Sequence, residues 1–424
     1  MSNIIQTLRE RGFIEATTSD DLQVLAQDSM KVYCGFDPTS DSLHLGNLVA
    51  MMGLAWFQRF GHTPVAVMGG ATGMIGDPSG KSSERQLLDE DTIQRNLKGI
   101  KKDLEVILNF NHSSVKPLIL NNYDWYKDFS FIHFLRDVGK LFRLGPMLGK
   151  DSVRTRLNSE EGMSYTEFSY QLLQGYDFLY LFQNHGVSIQ LGGSDQWGNI
   201  TAGTDLIRKV CGQTAYGITF PLLTRSDGQK FGKSEKGAIW LSPDKLSSYE
   251  FYQYLIRTTD EDVIKLMRML TFMGMAEIHH YERLMNQSDY IPRTAQKRLA
   301  EEITRLVHSE DGLLKALKVT EAAAPGHQAV LDVDSLESIA SDMPNSTMDK
   351  AGVVNQKLVD ILVEVGLQPS KGEAKRLIRN GGVYLNNEKI EDENMIIESD
   401  RLIGGRLILL AAGKKNKLLI RVRA

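Results

Sequence analysis

Short apolar runs alternate with longer stretches of helical periodicity through the first half of the chain. Val32-Tyr33-Cys34-Gly35-Phe36 reads as a strand, and Leu45 to Phe60 as the helix after it. Val65-Ala66-Val67-Met68, ending in Gly69-Gly70, and Val187-Ser188-Ile189-Gln190-Leu191, ending in Gly192-Gly193, read as two further strands. This alternation predicts an α/β fold, a Rossmann-like parallel sheet with helices on both faces. Ligands of such sheets bind at the carboxyl ends of the strands, where the glycine-rich loops fall. From about Ser247 to Ala322 the pattern turns helical, with Val263, Leu266 and Met267 on one face and Leu299, Ile303 and Leu306 on another. Ala323 to Asp349 has weak periodicity and the turn signals Ala-Ala-Pro-Gly and Met-Pro-Asn-Ser, and reads as a linker. Beyond it, helices at Lys357 to Val365 and Lys371 to Asn380 precede short strands at Val383 to Leu385, Arg406 to Leu410 and Leu418 to Val422. The expected division is a parallel-sheet domain over 1–225, a lysine loop with an α-helical domain over 226–325, a linker over 326–352 and a small α+β module over 353–424.

Length changes this picture little: 424 residues exceed one compact core, in line with several domains. The 42% hydrophobic and 24% charged content excludes collagenous and disordered classes. The most apolar stretch, Leu48 to Phe57, is about half the ~20 residues of a membrane span. Met1 to Leu8 lacks the basic-then-apolar pattern of a secretion leader. Two cysteines, Cys34 and Cys211, are too few for a disulfide framework or a cysteine-built metal site, so a cytoplasmic location is expected. A net charge of −4 argues against indiscriminate coating of nucleic acid. Asn355 to Ala424 nevertheless carries 13 basic and 9 acidic residues, which permits a nucleic-acid partner at that end.

Two polar constellations stand out. Tyr33 to Asn47 runs from strand through Gly35 and Asp37-Pro38-Thr39 to His44-Leu45-Gly46-Asn47, which opens a helix. Unpaired N–H groups at a helix start suit phosphate, a glycine there lets a ring or ribose approach, and His44 and Asn47 are three apart on one face. The competing reading of this motif alone is a polar loop with an N-capped helix. Lys230-Phe231-Gly232-Lys233-Ser234 follows the turn Ser226-Asp227-Gly228, and its two lysines can track a polyphosphate. Alone, it is a solvated lysine turn. Together they form the paired signature of class I aminoacyl-tRNA synthetases.

Within that class the chain resembles the bacterial tyrosyl-tRNA synthetases over nearly its whole length. The segments that carry the resemblance are Tyr33 to Thr39, Gly69-Gly70-Ala71-Thr72-Gly73 through Asp77-Pro78, Asn121-Asn122-Tyr123-Asp124-Trp125, Thr166 to Tyr170, Gln174 to Asp177, Gly192 to Asn199 and the lysine loop. Two positions depart from the class pattern: Asn47 replaces the second histidine, and Phe231-Gly232 replaces Met-Ser.

The resemblance implies ATP, L-tyrosine and tRNA(Tyr) as partners, a homodimer, and formation of tyrosyl-adenylate before transfer to the terminal adenosine. It implies that Tyr33 and Asp177 bond the phenolic hydroxyl, and that Asp77, Tyr170 and Gln174 receive the ammonium with Gln196 nearby. Asp37, Thr39, His44 and Gly46 would surround the nucleotide, Asp195 the ribose, and Leu222 and Leu223 the adenine. Thr39, His44, Asn47, Lys230 and Lys233 would act in catalysis, with Ser234 beside the nucleotide. Lys81 and Arg85 would belong to a mobile loop, and Cys34 is either a ribose contact or a small buried thiol. Mg²⁺ would arrive with ATP, since no cluster suggests a protein-built metal cage. A site that pairs a hydroxyl is left with unpaired groups when phenylalanine enters, a selectivity for which these synthetases are themselves the standard illustration.

Part of this reading stands without the family. Tyr170, Gln174 and Asp177 fall at i, i+4 and i+7, after a capping box at Ser164 and Glu167. A polar stripe is ordinarily a solvated face, but Phe168, Leu172, Leu173, Phe178 and Leu179 occupy the other faces, so a buried helix with a polar ligand is expected. The C-terminal module resembles the S4 RNA-binding fold, and Lys371, Lys375 and Arg379 share a helix face that suits an RNA backbone, with Lys414 and Lys415 in a basic turn. The tryptophan-specific sister enzymes and a non-catalytic RNA-binding derivative are the competing readings. Tyr33 with Asp177 weighs against the first, and the intact signatures against the second.

Overall fold

The computed structural model describes residues 3–20, 28–80, 87–112, 114–160, 162–234, 237–322, 333–340, 343–413 and 416–423. They form two compact units, Met1–Ser242 with Thr258–Leu299, and Pro243–Arg257 with Ala300–Ala424.

The first unit is built on a six-stranded sheet of β1 (Ala16–Thr17), β2 (Lys31–Phe36), β3 (Thr63–Met68), β4 (Leu118–Asn121), β5 (Ile189–Gly193) and β6 (Tyr216–Phe220). Their order is β1-β6-β5-β2-β3-β4, parallel except at the β1 edge. The chain steps from β2 outward to β3 and β4, then returns to fill β5 and β6 on the other side. The order therefore reverses between β2 and β5, which is where such sheets open a binding crevice. β5 starts two residues later than expected, at Ile189, and ends in Gly192 and Gly193, which pair with Thr219 and Phe220 of β6. Tyr33, Val65 and Val67 share a core with Phe178, Leu181, Leu206 and Ile207 of the helices Tyr165–His185 and Trp197–Cys211. The helix after β2 spans Leu48–Arg59, later than expected. The residues from His44 to Asn47 form a turn instead, with Asn47 N–H donating to the His44 carbonyl.

The stretch Thr258–Leu299, expected in a separate helical domain, belongs to this unit. One reason is Arg11, 2% exposed, which donates to the carbonyls of Met267, Arg268, Thr271 and Met273 at the end of the Asp260–Leu270 helix. Its guanidinium lies 4.5 Å from the Trp56 ring centroid. A buried cation satisfied by helix-end carbonyls is a specific tie that an apolar pattern cannot announce.

In the first unit β7 (Lys233–Ser234) pairs antiparallel with β8 (Gly237–Ala238), and the second unit holds a five-stranded sheet. Its strands are β9 (Asn345–Asp349), β10 (Val383–Leu385), β11 (Glu388–Ile390), β12 (Leu407–Ala412) and β13 (Asn416–Arg423), in the order β11-β10-β12-β13-β9. Alternation along β12 sends Ile408 and Leu410 toward the helices Leu358–Glu364 and Lys371–Arg379, and Leu407 and Leu409 to the opposite face. That opposite face is covered by Leu336, Ile339 and Ala340 of the helix Val333–Ala340, together with Tyr249 and Val319. Much of the stretch expected as a linker is thus structured: it supplies this helix and β9, which pairs in parallel with β13. Turn signals at its ends hid a short amphipathic helix and a polar strand. Among the described residues, no helix is long and apolar enough to cross a membrane.

Candidate active site

At the carboxyl ends of β2 and β5 lies a pocket of about 800 Å³. Its lining brings together Tyr33, Asp37 and Thr39 from β2 and its loop, His44, Gly46 and Asn47 from the turn, and Asp77. Tyr170, Gln174 and Asp177 enter from one helix, Asp195 and Gln196 from the end of β5, and Leu222, Leu223, Lys230 and Lys233 from the late loop. Cys34 also faces it, a thiol that burial pushes up to about 12 and so holds inert. Ser234 pairs through its backbone with Gly237. Lys81, Arg85, Lys414 and Lys415 lie outside the described residues, as does the side chain of Ser234.

One end of the pocket has the chemistry of a hydroxyl receptor. The Tyr33 hydroxyl is buried with no partner among the described residues, and its pKa is raised by burial and then by the charge of Asp177. The Asp177 carboxylate, 4% exposed, accepts from Trp125 Nε1 at 2.9 Å and from Asn122 Nδ2 at 3.1 Å. Burial lifts its pKa to about 7, and those two hydrogen bonds oppose the rise. A free hydroxyl thus sits beside an oriented carboxylate. Ser164 Oγ accepts from Glu167 N–H at 3.1 Å, so the expected cap does start the helix that presents Asp177.

Acceptors converge at the next stage. Asp77 accepts from Gln196 Nε2 at 2.7 Å and from Ser79 N–H at 3.0 Å. Asn199 Nδ2 donates to the side-chain oxygens of Gln174 at 3.1 Å and Gln196 at 3.2 Å. Asp37, expected beside the nucleotide, accepts here from the Tyr170 hydroxyl and from Thr72 Oγ1, each at 2.9 Å. Two carboxylates, a phenol and two amide oxygens on one wall suit an ammonium group. A Cβ on Gly69 would collide with Asp37 Oδ1, so a larger residue there would push that carboxylate away.

At the far end the two signature loops meet. His44 Nδ1 accepts from Gly46 N–H at 3.1 Å, and Asn47 Oδ1 accepts from His44 N–H at 3.1 Å. The Asn47 carbonyl therefore shapes the turn. Gly232 has φ +85°, and a Cβ on it would stand 2.6 Å from the Gly46 nitrogen. Leu45 N–H donates to the Ile239 carbonyl at 2.7 Å, which pins the lysine loop to the histidine turn. Lys230 and Lys233 are exposed at this mouth. The Asp195 pKa is raised by burial and by Asp77, with Lys230 opposing.

Four residues of this network carried no role in the sequence reading: Thr72, Asn122, Trp125 and Asn199. All four lie inside the quoted motifs, and donor side chains three apart at Asn122 and Trp125 were the available signal. In the C-terminal unit the helix Lys371–Arg379 has the expected cationic face, capped by Ser370. Two of its cations are already paired, Lys371 with Asp360 at 2.9 Å and Arg379 with Glu393 at 2.6 Å.

A switch-point pocket with a histidine turn and a lysine loop defines a class I aminoacyl-tRNA synthetase, and residues 25–325 match the family model described as tRNA synthetases class I (W and Y). Residues 335–420 match the tyrosine–tRNA ligase SYY-like C-terminal domain. The chain belongs to the tyrosine–tRNA ligase family. A tyrosine–tRNA ligase of Protochlamydia amoebophila (strain UWE25) is 72% identical over 422 residues, covering 100% of this chain and 99% of its own. The chloroplastic/mitochondrial tyrosine–tRNA ligase of Arabidopsis thaliana is 52% identical over 427 residues, covering 99% of this chain and 84% of its own. A crystal structure of a C-terminally truncated Aspergillus nidulans mitochondrial tyrosyl-tRNA synthetase superposes with a TM-score of 0.67 at 31% identity, covering 74% of this chain and 92% of that one.

Proposed function

We infer that the chain is an enzyme that activates L-tyrosine with ATP and transfers it to the 3′-terminal adenosine of tRNA(Tyr). The observation that carries the substrate choice is the orphaned Tyr33 hydroxyl beside the Asp177 carboxylate. A phenol satisfies both at once, accepting from Tyr33 and donating to Asp177. Phenylalanine leaves both unpaired, and an indole offers no hydroxyl to this pair.

Asp77, Tyr170 and Gln174 hold the ammonium, with Gln196 alongside, and Asp37 adds a second carboxylate to that wall. The tyrosine carboxylate attacks the α-phosphorus in line and pyrophosphate departs. The carboxylate is already a nucleophile, so the chain's task is positioning and charge stabilisation. Thr39, His44 and Asn47 meet the phosphates from one side, and Lys230 and Lys233 neutralise the departing pyrophosphate from the other. Asp195 takes the ribose hydroxyls, with Gly46, Leu222 and Leu223 about the base and sugar. Mg²⁺ enters as part of the nucleotide substrate. A ribose hydroxyl of the terminal adenosine then attacks the adenylate carbonyl carbon, and AMP leaves.

The C-terminal unit engages the tRNA through Lys371, Lys375 and Arg379 on one helix face, where Lys371 and Arg379 also hold carboxylates at 2.9 and 2.6 Å. The working form is a cytoplasmic homodimer. The apolar side chains that support it are Phe131, Ile132 and Leu144, which are 63%, 67% and 67% exposed. Incubation with tRNA, ATP and radiolabelled tyrosine should give acid-precipitable tyrosyl-tRNA. No product with any bacterial-type tRNA(Tyr) would overturn the assignment.

A further inference from the structure

The ammonium wall depends on the first turn of the helix Trp197–Cys211, and that turn is held from behind. Lys150 lies outside the pocket lining and donates from Nζ to the Gly198 carbonyl at 2.6 Å. Its stem lies along the same residue, since a Cβ on Gly198 would stand 3.1 Å from Lys150 Cδ. Burial lowers its ammonium to about 8. A charged donor in such surroundings makes a short, strong bond.

Gly198 sits between the two amides that organise the wall. Gln196 donates to Asp77 at 2.7 Å, and Asn199 donates to Gln174, to Gln196 and, at 3.3 Å, to Ser79 Oγ. The amide of Asn199 thereby fixes which end of Gln196 faces Asp77. A small rotation of the turn breaks this relay, while Tyr33 stands on β2 and Asp177 further along the helix Tyr165–His185, neither bonded to the turn. Lys150 also opens the helix Asp151–Leu157, whose Arg156 grips Glu167 at 2.8 and 3.2 Å in a fully buried pair. Glu167 lies three residues before Tyr170 on the helix that bears the rest of the wall. One short segment therefore ties the starts of both helices.

We propose that Lys150 is a positioning residue for the amino-acid ammonium subsite, acting through the Gly198 carbonyl to fix the Gln196 and Asn199 amides. This rests on the tyrosine site inferred above. The test is ATP–pyrophosphate exchange without tRNA, comparing wild type with Lys150→Met and Lys150→Arg. Lys150→Met should raise the KM for tyrosine about tenfold, with kcat and the KM for ATP changed less than about twofold. Lys150→Arg should restore most of the loss. 3-(4-Hydroxyphenyl)propionate, which keeps phenol and carboxylate but lacks the ammonium, should inhibit wild type and Lys150→Met equally. If Lys150→Met does not fold, Lys150→Gln carries the same comparison. An unchanged KM, equal weakening of the ammonium-free inhibitor, or a defect confined to tRNA transfer would each overturn the proposal. Absence of tyrosine-dependent exchange in the wild type would instead overturn the site reading beneath it.

Discussion

Trp125→Phe removes one hydrogen bond from Asp177 while keeping an aromatic ring that can stack on Tyr180, now 4.6 Å from Trp125 between centroids. A hydrogen bond to a charged group contributes about 1.5–3 kcal/mol. At 1.36 kcal/mol per unit, its loss raises the Asp177 pKa by about one to two units. That pKa already stands at about 7, because burial outweighs the bonds from Trp125 and Asn122. At pH 7.5 the carboxyl would therefore pass from about three-quarters ionised to about a quarter or less. A neutral acid presents a donor where the phenol needs an acceptor, Tyr33 already supplying the donor. The tyrosine KM in pyrophosphate exchange should rise roughly three- to twenty-five-fold at pH 7.5, with the KM for ATP unchanged. Because the defect is one of ionisation, most of it should disappear by pH 8.5 if the shift is one unit, and less if it is two. A penalty constant from pH 6.5 to 8.5 would refute the reasoning, since it would show lost packing in place of lost ionisation.

Asp177→Asn should stabilise the protein more at pH 8 than at pH 5, read as the change in Tm. The folded pKa lies above the ordinary 3.8, so native-state proton binding favours folding below 3.8 and this contribution is lost as pH rises through about 7, an effect of up to ~4 kcal/mol. Equal gains at both pH values would contradict it. Gly232→Ala adds a Cβ that meets the Gly46 nitrogen and strains a φ of +85°, so kcat should fall at least about tenfold with the tyrosine KM little changed. A wild-type kcat would show that the two loops need not touch. Ile132→Asp places a charge on the exposed apolar face and should shift the protein to monomers in sedimentation velocity; an unmoved dimer would locate the interface elsewhere.

The parallel sheet was legible because its strands are short apolar runs ending in glycine, and the helix bearing Asp177 because its polar stripe is flanked by apolar faces. Strand pairing defines what local pattern could not: β13 draws in the polar β9 from the stretch read as a linker. The tie of Arg11 to carbonyls more than 250 residues away leaves no periodic trace. Pocket-lining residues sit in motifs dense enough to be named one by one. The donors that orient them, Asn122, Trp125 and Asn199, could be quoted yet not assigned, because their partners are distant in sequence. Charge spacing showed the cations of Lys371 and Arg379, and only coordinates show the carboxylates that partner them.

The most direct measurement is ATP–pyrophosphate exchange on the purified chain with tyrosine, phenylalanine or tryptophan, with Tyr33→Phe and Asp177→Ala in parallel. The site geometry predicts exchange with tyrosine alone, weakened by loss of the Tyr33 hydroxyl and nearly abolished by loss of the Asp177 carboxylate. Comparable exchange with phenylalanine or tryptophan, or indifference to both substitutions, would contradict a pocket that selects its substrate by that hydroxyl pair.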